Sequence, residues 1–84
     1  MEYRVIVVRR AQKEAQQLTK KDRKRIAEAI RSLRSNPFQG KKLQGEHEGE
    51  WSIRVWPYRI IYTIEKAIVT VIVLRIGHRR EVYR

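Results

Sequence analysis

Two arginines, Arg54 and Arg59, stand in the strand-like stretch 51–65, WSIRVWPYRIIYTIE, and a second cationic cluster, GHRREVYR, follows at residues 77–84. Read as two β-strands, the first stretch puts Ser52, Arg54 and Trp56 on one face, and Arg59, Ile61 and Thr63 share a face of the next strand. A hairpin turning at Trp56-Pro57 sets Arg54 directly across from Arg59, whether its loop has two residues or four. Pro57 suits the favoured two-residue turns poorly, so the longer loop is expected. Like charges directly opposite on a sheet destabilise it, so an anion is expected between the two. The guanidinium fork matches phosphate, donating two parallel hydrogen bonds and staying charged at any physiological pH. The competing reading pairs either arginine with a carboxylate of its own chain, such as Glu46, Glu48 or Glu65.

The second cluster has different chemistry. His78 belongs to the one side-chain type able to exchange a proton near neutral pH. Arg79, Arg80 and Arg84 concentrate charge after Gly77, where a sharp turn is expected. Tyr83 could carry a proton if neighbouring cations favour its phenolate, or could pack beside Val82 in a short edge strand. Trp56 could stack on a base or cap the edge of the core.

The elements that must position these groups come from a chain of 84 residues, enough for one domain spanning 1–84 with a modest core. Twenty Lys+Arg against nine Asp+Glu leave a formal charge of +11, an excess that points to a polyanionic partner. Surface ion-pair networks of the heat-adapted kind need both signs and do not account for it. The absence of cysteine excludes disulfides and thiolate metal sites, and His47 and His78 show no metal-ligand spacing. The apolar run at 67–74 is too short to span a bilayer and no signal peptide opens the chain, so a cytoplasmic location without membrane contact is expected.

Residues 2–9 read as a first strand. Ala11, Ala15 and Leu18 recur at helical spacing. Thr19 with Asp22 three residues on marks the start of a second helix, which carries Ile26, Ile30 and Leu33 inward and ends at Asn36 before Pro37. Its other face is crowded with Lys20, Lys21, Lys24, Arg25, Arg31 and Arg34. Residues 37–50, with Gly40, Gly45 and Gly49, read as a loop. Strands are expected at 51–55, 58–65 and 67–76, the last interior to the sheet because it is apolar on both faces apart from Thr70 and Arg75. The order β-α-α-β-β-β predicts an α+β domain, two helices packed on a mainly antiparallel sheet.

The run from WSIRV through PYRIIY to VLRIGHRREVY resembles the RelE toxins of bacterial and archaeal toxin–antitoxin pairs, across essentially the whole chain. The resemblance implies a RelE-like fold and a ribosome-dependent endoribonuclease that cuts mRNA in the A site, inhibiting translation. It implies no metal or cofactor. The family's catalytic positions fall on Arg59, Arg79 and Tyr83, with His78 beside them. Its RNA-binding positions fall on Ser52 and Arg54, and Arg80, Trp56, Lys41 and Lys42 complete the expected RNA-binding set. Ser52 stands where lysine is common in relatives. The sequence stops one residue after Tyr83, where some relatives continue into a helix, so weaker anchoring of Tyr83 is expected. The implied partners are a cognate acidic antitoxin, the ribosome and mRNA. Two alternatives remain: the ParE branch, which shares the fold but poisons DNA gyrase without cutting nucleic acid, and an inactive basic nucleic-acid-binding module.

Overall fold

The computed structural model describes residues 2–82. The chain runs β1 (Arg4–Val7), α1 (Arg9–Gln16), α2 (Lys20–Ser32), β2 (Lys41–Lys42), β3 (Glu50–Val55), β4 (Tyr58–Glu65) and β5 (Thr70–His78). The sheet order is β1-β5-β4-β3-β2, antiparallel except for the β1–β5 pair. This is the expected α+β arrangement with one strand more. The segment expected as a bare loop contains β2, which pairs with β3, and two short 3₁₀ turns at Pro37–Gln39 and Gly45–His47.

Both helices pack on one face of the sheet. Ala11 from α1, Ile26 from α2 and Leu33 just beyond it meet Ile60, Tyr62, Val71, Val73 and Ile76 in a single buried cluster. Each fully buried large aliphatic side chain contributes about 1.5–3 kcal/mol, so β4 and β5 are the best-anchored strands. Helix α2 begins as its sequence predicts: the Thr19 hydroxyl accepts a hydrogen bond from the Asp22 backbone N–H at 3.2 Å. It ends before Asn36, at the C-cap Leu33, and Pro37 then opens a 3₁₀ turn, where its missing N–H costs nothing.

Three further expectations are corrected. The β3–β4 hairpin has a two-residue loop, Trp56-Pro57, joined by a cis peptide bond. A turn with cis-proline at its third position is the type that accommodates Pro57 here, which a comparison limited to primed turns overlooks. The last strand starts at Thr70 rather than Ala67, because residues 66–68 form a 3₁₀ turn ended by Val69 at φ 49°. At its other end β5 runs on through Gly77 and His78, and the turn begins after His78.

A bulge in β5 sets the sheet's two faces. Ile61 pairs with Arg75 while Tyr62 pairs with Val73, leaving Leu74 as the extra residue. The extra residue shifts the alternation by one. Val71, Val73 and Ile76 therefore all reach the core, and Arg75 and Gly77 fall on the opposite face with Ile61 and Arg59.

Tyr62 links this core to the start of the loop region. Its fully buried hydroxyl donates to the Pro37 carbonyl at 2.8 Å and accepts from the Gly40 N–H at 3.2 Å. A Cβ at Gly40 would lie 2.7 Å from the Ser52 carbonyl oxygen and would also collide with the Tyr62 hydroxyl. Gly40→Ala is therefore expected to destabilise the fold by about 1–3 kcal/mol in denaturant unfolding, the usual cost of overpacking a close-packed site.

Candidate active site

The site is built on the sheet face turned away from the helices. In the β3–β4 register Val55 pairs with Tyr58 and Arg54 with Arg59, so the two arginines are direct cross-strand neighbours. Arg59 is half-buried and its Nη1 donates to the Ser52 hydroxyl at 3.2 Å; Arg54 is exposed. Among the described residues neither guanidinium forms an ion pair, so Glu46, Glu48 and Glu65 do not take up this charge. The repulsion is comparable to the roughly 0.2–1 kcal/mol that a favourable cross-strand pair contributes, enough to draw in an anion and too small to disrupt the sheet. Ser52 is 3% exposed and acts as a buried acceptor that fixes the Arg59 fork rather than as a surface contact.

Of the expected loop lysines, one reaches this face. Lys41 pairs with Ser52 and shares its side of the sheet. Lys42 pairs with Trp51 on the helix side, where its ammonium lies 5.6 Å from the Trp51 ring centroid.

On the other side of Arg59 stands Gly77. A Cβ there would come within 3.2 Å of the Val82 side chain, so the glycine leaves a notch in which Val82 is buried. The chain turns after His78, whose carbonyl accepts from the N–H groups of Glu81 at 2.8 Å and Val82 at 3.3 Å. Residues 79–82 thus form a turn and not the edge strand considered for Val82. His78, at the end of β5, and Arg79 and Arg80, on the turn, are exposed. The Arg79 N–H donates to the Pro57 carbonyl at 3.3 Å, and its guanidinium lies 5.1 Å from the Trp56 ring centroid, a cation–π contact. Trp56 is 56% exposed, which leaves it reachable by a base. Tyr83 lies outside the described residues, as does Arg84.

A mainly antiparallel sheet, two helices on one face and a basic strand pair on the other coincide with a match over nearly the whole chain. Residues 5–83 match the family model described as the ParE toxin of the type II toxin–antitoxin system parDE. The chain belongs to the RelE/ParE superfamily of type II toxins.

Among characterised relatives, toxin RelG of Mycobacterium tuberculosis is 39% identical over 57 residues, spanning 67% of this chain and 66% of RelG, just under two thirds of its length. Among solved structures, the RelBE2 toxin–antitoxin complex of the same organism superposes with a TM-score of 0.88 at 30% identity, covering 94% of this chain and all of that one. The archaeal RelE–RelB complex of Pyrococcus horikoshii gives 0.81 at 26% identity, over 96% and 99% of the two chains. The matching model carries the ParE name, and these relatives carry the RelE name.

Sequence reading missed how the toxin holds the hairpin turn. Arg25 appears in sequence as one more cation on a solvated helix face. Its Nη2 instead donates to the Trp56 carbonyl at 2.9 Å, and its Nη1 reaches the Asp22 carboxylate at 3.3 Å. The Tyr58 hydroxyl donates to the other Asp22 oxygen at 3.0 Å. The Tyr58 hydrogen bond holds the Asp22 carboxyl below its ordinary 3.8, with Arg25 adding to the effect, and the same bond raises the Tyr58 phenol. The i,i+3 spacing of Asp22 and Arg25 was visible, but not that both turn towards a hairpin more than thirty residues away.

A carboxylate whose pKa is depressed by folding contributes stability that is fully present above its unfolded value and is lost as pH falls through the lower folded value. Tyr58→Phe should therefore lower the Tm of the toxin at neutral pH. The difference from wild type should shrink below about pH 3.8 as Asp22 becomes protonated. Thermal unfolding of both proteins across the acid range measures this.

Proposed function

We propose that this toxin is a ribosome-dependent endoribonuclease that cuts mRNA in the ribosomal A site. The observation that carries the reading is the opposed Arg54–Arg59 pair, without an ion-pair partner among the described residues, beside the turn that presents His78 and Arg79. The 2′-OH of one nucleotide attacks the adjacent phosphodiester, and the bond to the 5′-oxygen of the next nucleotide breaks. The products are a 2′,3′-cyclic phosphate and a 5′-OH; a base takes the 2′-OH proton and an acid supplies one to the leaving oxygen. Arg59 and Arg54 clamp the phosphate and stabilise the charge that develops on its oxygens. Ser52 keeps the Arg59 fork aimed. His78 or Tyr83 is the base, and Arg79 acts electrostatically on the leaving-group side, since a guanidinium does not readily give up a proton. Trp56 and Arg80, with Lys41, extend the contact along the RNA.

Free single-stranded RNA rarely holds the in-line geometry for this attack, and positioning can contribute about 7–11 kcal/mol of barrier reduction. A site with weak acid–base groups depends on that contribution, which the ribosomal A site supplies. The net charge of +11 also calls for a partner of opposite sign, and two similar solved structures are toxin–antitoxin complexes. A cognate acidic antitoxin is therefore part of the proposal. One observation favours the ParE alternative, a gyrase-binding toxin: the family model that matches carries that name.

Toeprinting of translated mRNA with added toxin should show cleavage on ribosomes, and naked RNA should be cut poorly or not at all. Inhibition of gyrase with intact mRNA would establish the ParE reading instead. Arg59→Lys keeps the charge but replaces the fork by a point donor. It should lose most of the cleavage rate at matched ribosome occupancy, and near-wild-type cleavage would exclude the bidentate role. Co-expression with an acidic protein encoded next to the toxin should give a complex stable in moderate salt.

A further inference from the structure

Strand β5 carries one charged side chain in its interior, Arg75, which stands apart from the Arg54–Arg59 clamp. Arg75 is only 15% exposed at its side chain, a costly position for a cation unless every donor is met. Its Nε donates to Glu14 Oε2 of α1 at 3.0 Å. Its Nη1 reaches the Val82 carbonyl and its Nη2 the Glu81 carbonyl, both at 3.4 Å. Glu14 is committed in turn. Its Oε1 accepts the Ile76 backbone N–H at 2.9 Å, and Arg10 lies at 4.0 Å from Oε2. That N–H lies beyond the reach of β1, whose pairing with β5 stops at Val7–Val73. One carboxylate thus satisfies the exposed edge of β5 and orients the guanidinium that grips the C-terminal turn.

What the grip holds is the segment beside Arg59. Val82 sits in the notch over Gly77, directly across from Arg59, and Arg79 lies against Trp56. The two N–H bonds to the His78 carbonyl close the turn on itself but do not tie its last carbonyls to the sheet. Arg75 does. A partly buried ion pair contributes little net stability compared with an apolar side chain of the same size, so its chief consequence here is geometric.

We propose that Glu14 and Arg75 are positioning residues: through the Glu81 and Val82 carbonyls they fix the turn 79–82 against the Arg54–Arg59 face, and so set where Arg79 is presented. The catalytic part of this inference rests on the nuclease reading. The geometric part does not.

The test uses the full chain, with Arg75→Lys, which keeps the charge but concentrates its donors on one nitrogen instead of spreading them over a planar fork, and Arg75→Met, which keeps the bulk. Two quantities are read: single-turnover cleavage on programmed ribosomes, and amide hydrogen exchange of Glu81 and Val82, with Val71 and Val73 as internal references for an intact sheet. Both variants should exchange faster at Glu81 and Val82, with the references unchanged. Their cleavage rate should fall about tenfold to a hundredfold while ribosome affinity stays within about threefold. Glu14→Gln should produce a smaller change in the same direction. Unchanged exchange at Glu81 and Val82 overturns the proposal. So does faster exchange with wild-type cleavage, or a loss lying wholly in ribosome affinity. If the wild-type toxin cuts no RNA on ribosomes, the nuclease reading fails by itself, and the exchange rates still decide whether Arg75 holds the turn.

Discussion

The pairing of Val55 with Tyr58 across a two-residue turn is the constraint on which the rest of the site depends. Because side chains alternate along a strand, a slip of one residue would send Arg59 into the helix-side core and Ile60 out of it. The burial of Ile60 and Tyr62 against Ala11, Ile26 and Leu33 makes such a slip prohibitive. The same apolar packing that stabilises the domain therefore forces two cations to face each other on the other side of the sheet. The site's electrostatic stress is a by-product of the fold's best-packed strands.

Each helix adds one polar clamp at the rim of that face. From α2, Asp22 and Arg25 fasten the hairpin turn by the Tyr58 hydroxyl and the Trp56 carbonyl. From α1, Glu14 reaches the C-terminal turn through Arg75. The two turns are joined directly, by the Arg79 N–H on the Pro57 carbonyl and by the guanidinium over the Trp56 ring. Side chains on the helix side thus control the geometry of loops on the opposite rim, and the sheet between them is the rigid spacer. Such support from rigid elements is what the proposed nuclease site would require.

Much of this was legible in the residue string. The alternation in YRIIYTI fixed which side chains of β4 face the core, and Thr19 and Asp22 marked the start of α2. The excess of positive charge and the opposed arginines followed from composition and from a period of two. These are local properties, set by backbone geometry and by the demand that apolar side chains leave water, so they survive without knowledge of the fold. The boundaries of the last strand were less legible. Ala67 and Ile68 have strand-compatible side chains, yet the left-handed backbone at Val69 ends a 3₁₀ turn there, and Gly77 reads as a turn signal although it lies inside the strand.

The polar contacts that organise the site belong to the tertiary structure. Arg75 and Glu14 are 61 residues apart, Tyr58 and Asp22 36, and Arg25 and the Trp56 carbonyl 31. In sequence each is one charge or hydroxyl among many, with no period to betray its partner. Only packing two helices against a bulged sheet decides which of the chain's many cations are drawn into a network and which stay in solvent. Sequence alone determined that Arg54 shares a strand face with Ser52 and Arg59 one with Ile61, because alternation is a property of a single strand. Tertiary structure decided that Ser52 steadies Arg59, that Lys41 joins this face and Lys42 does not, and that Arg75 holds the C-terminal turn, because each depends on distances between segments that meet only when the core closes.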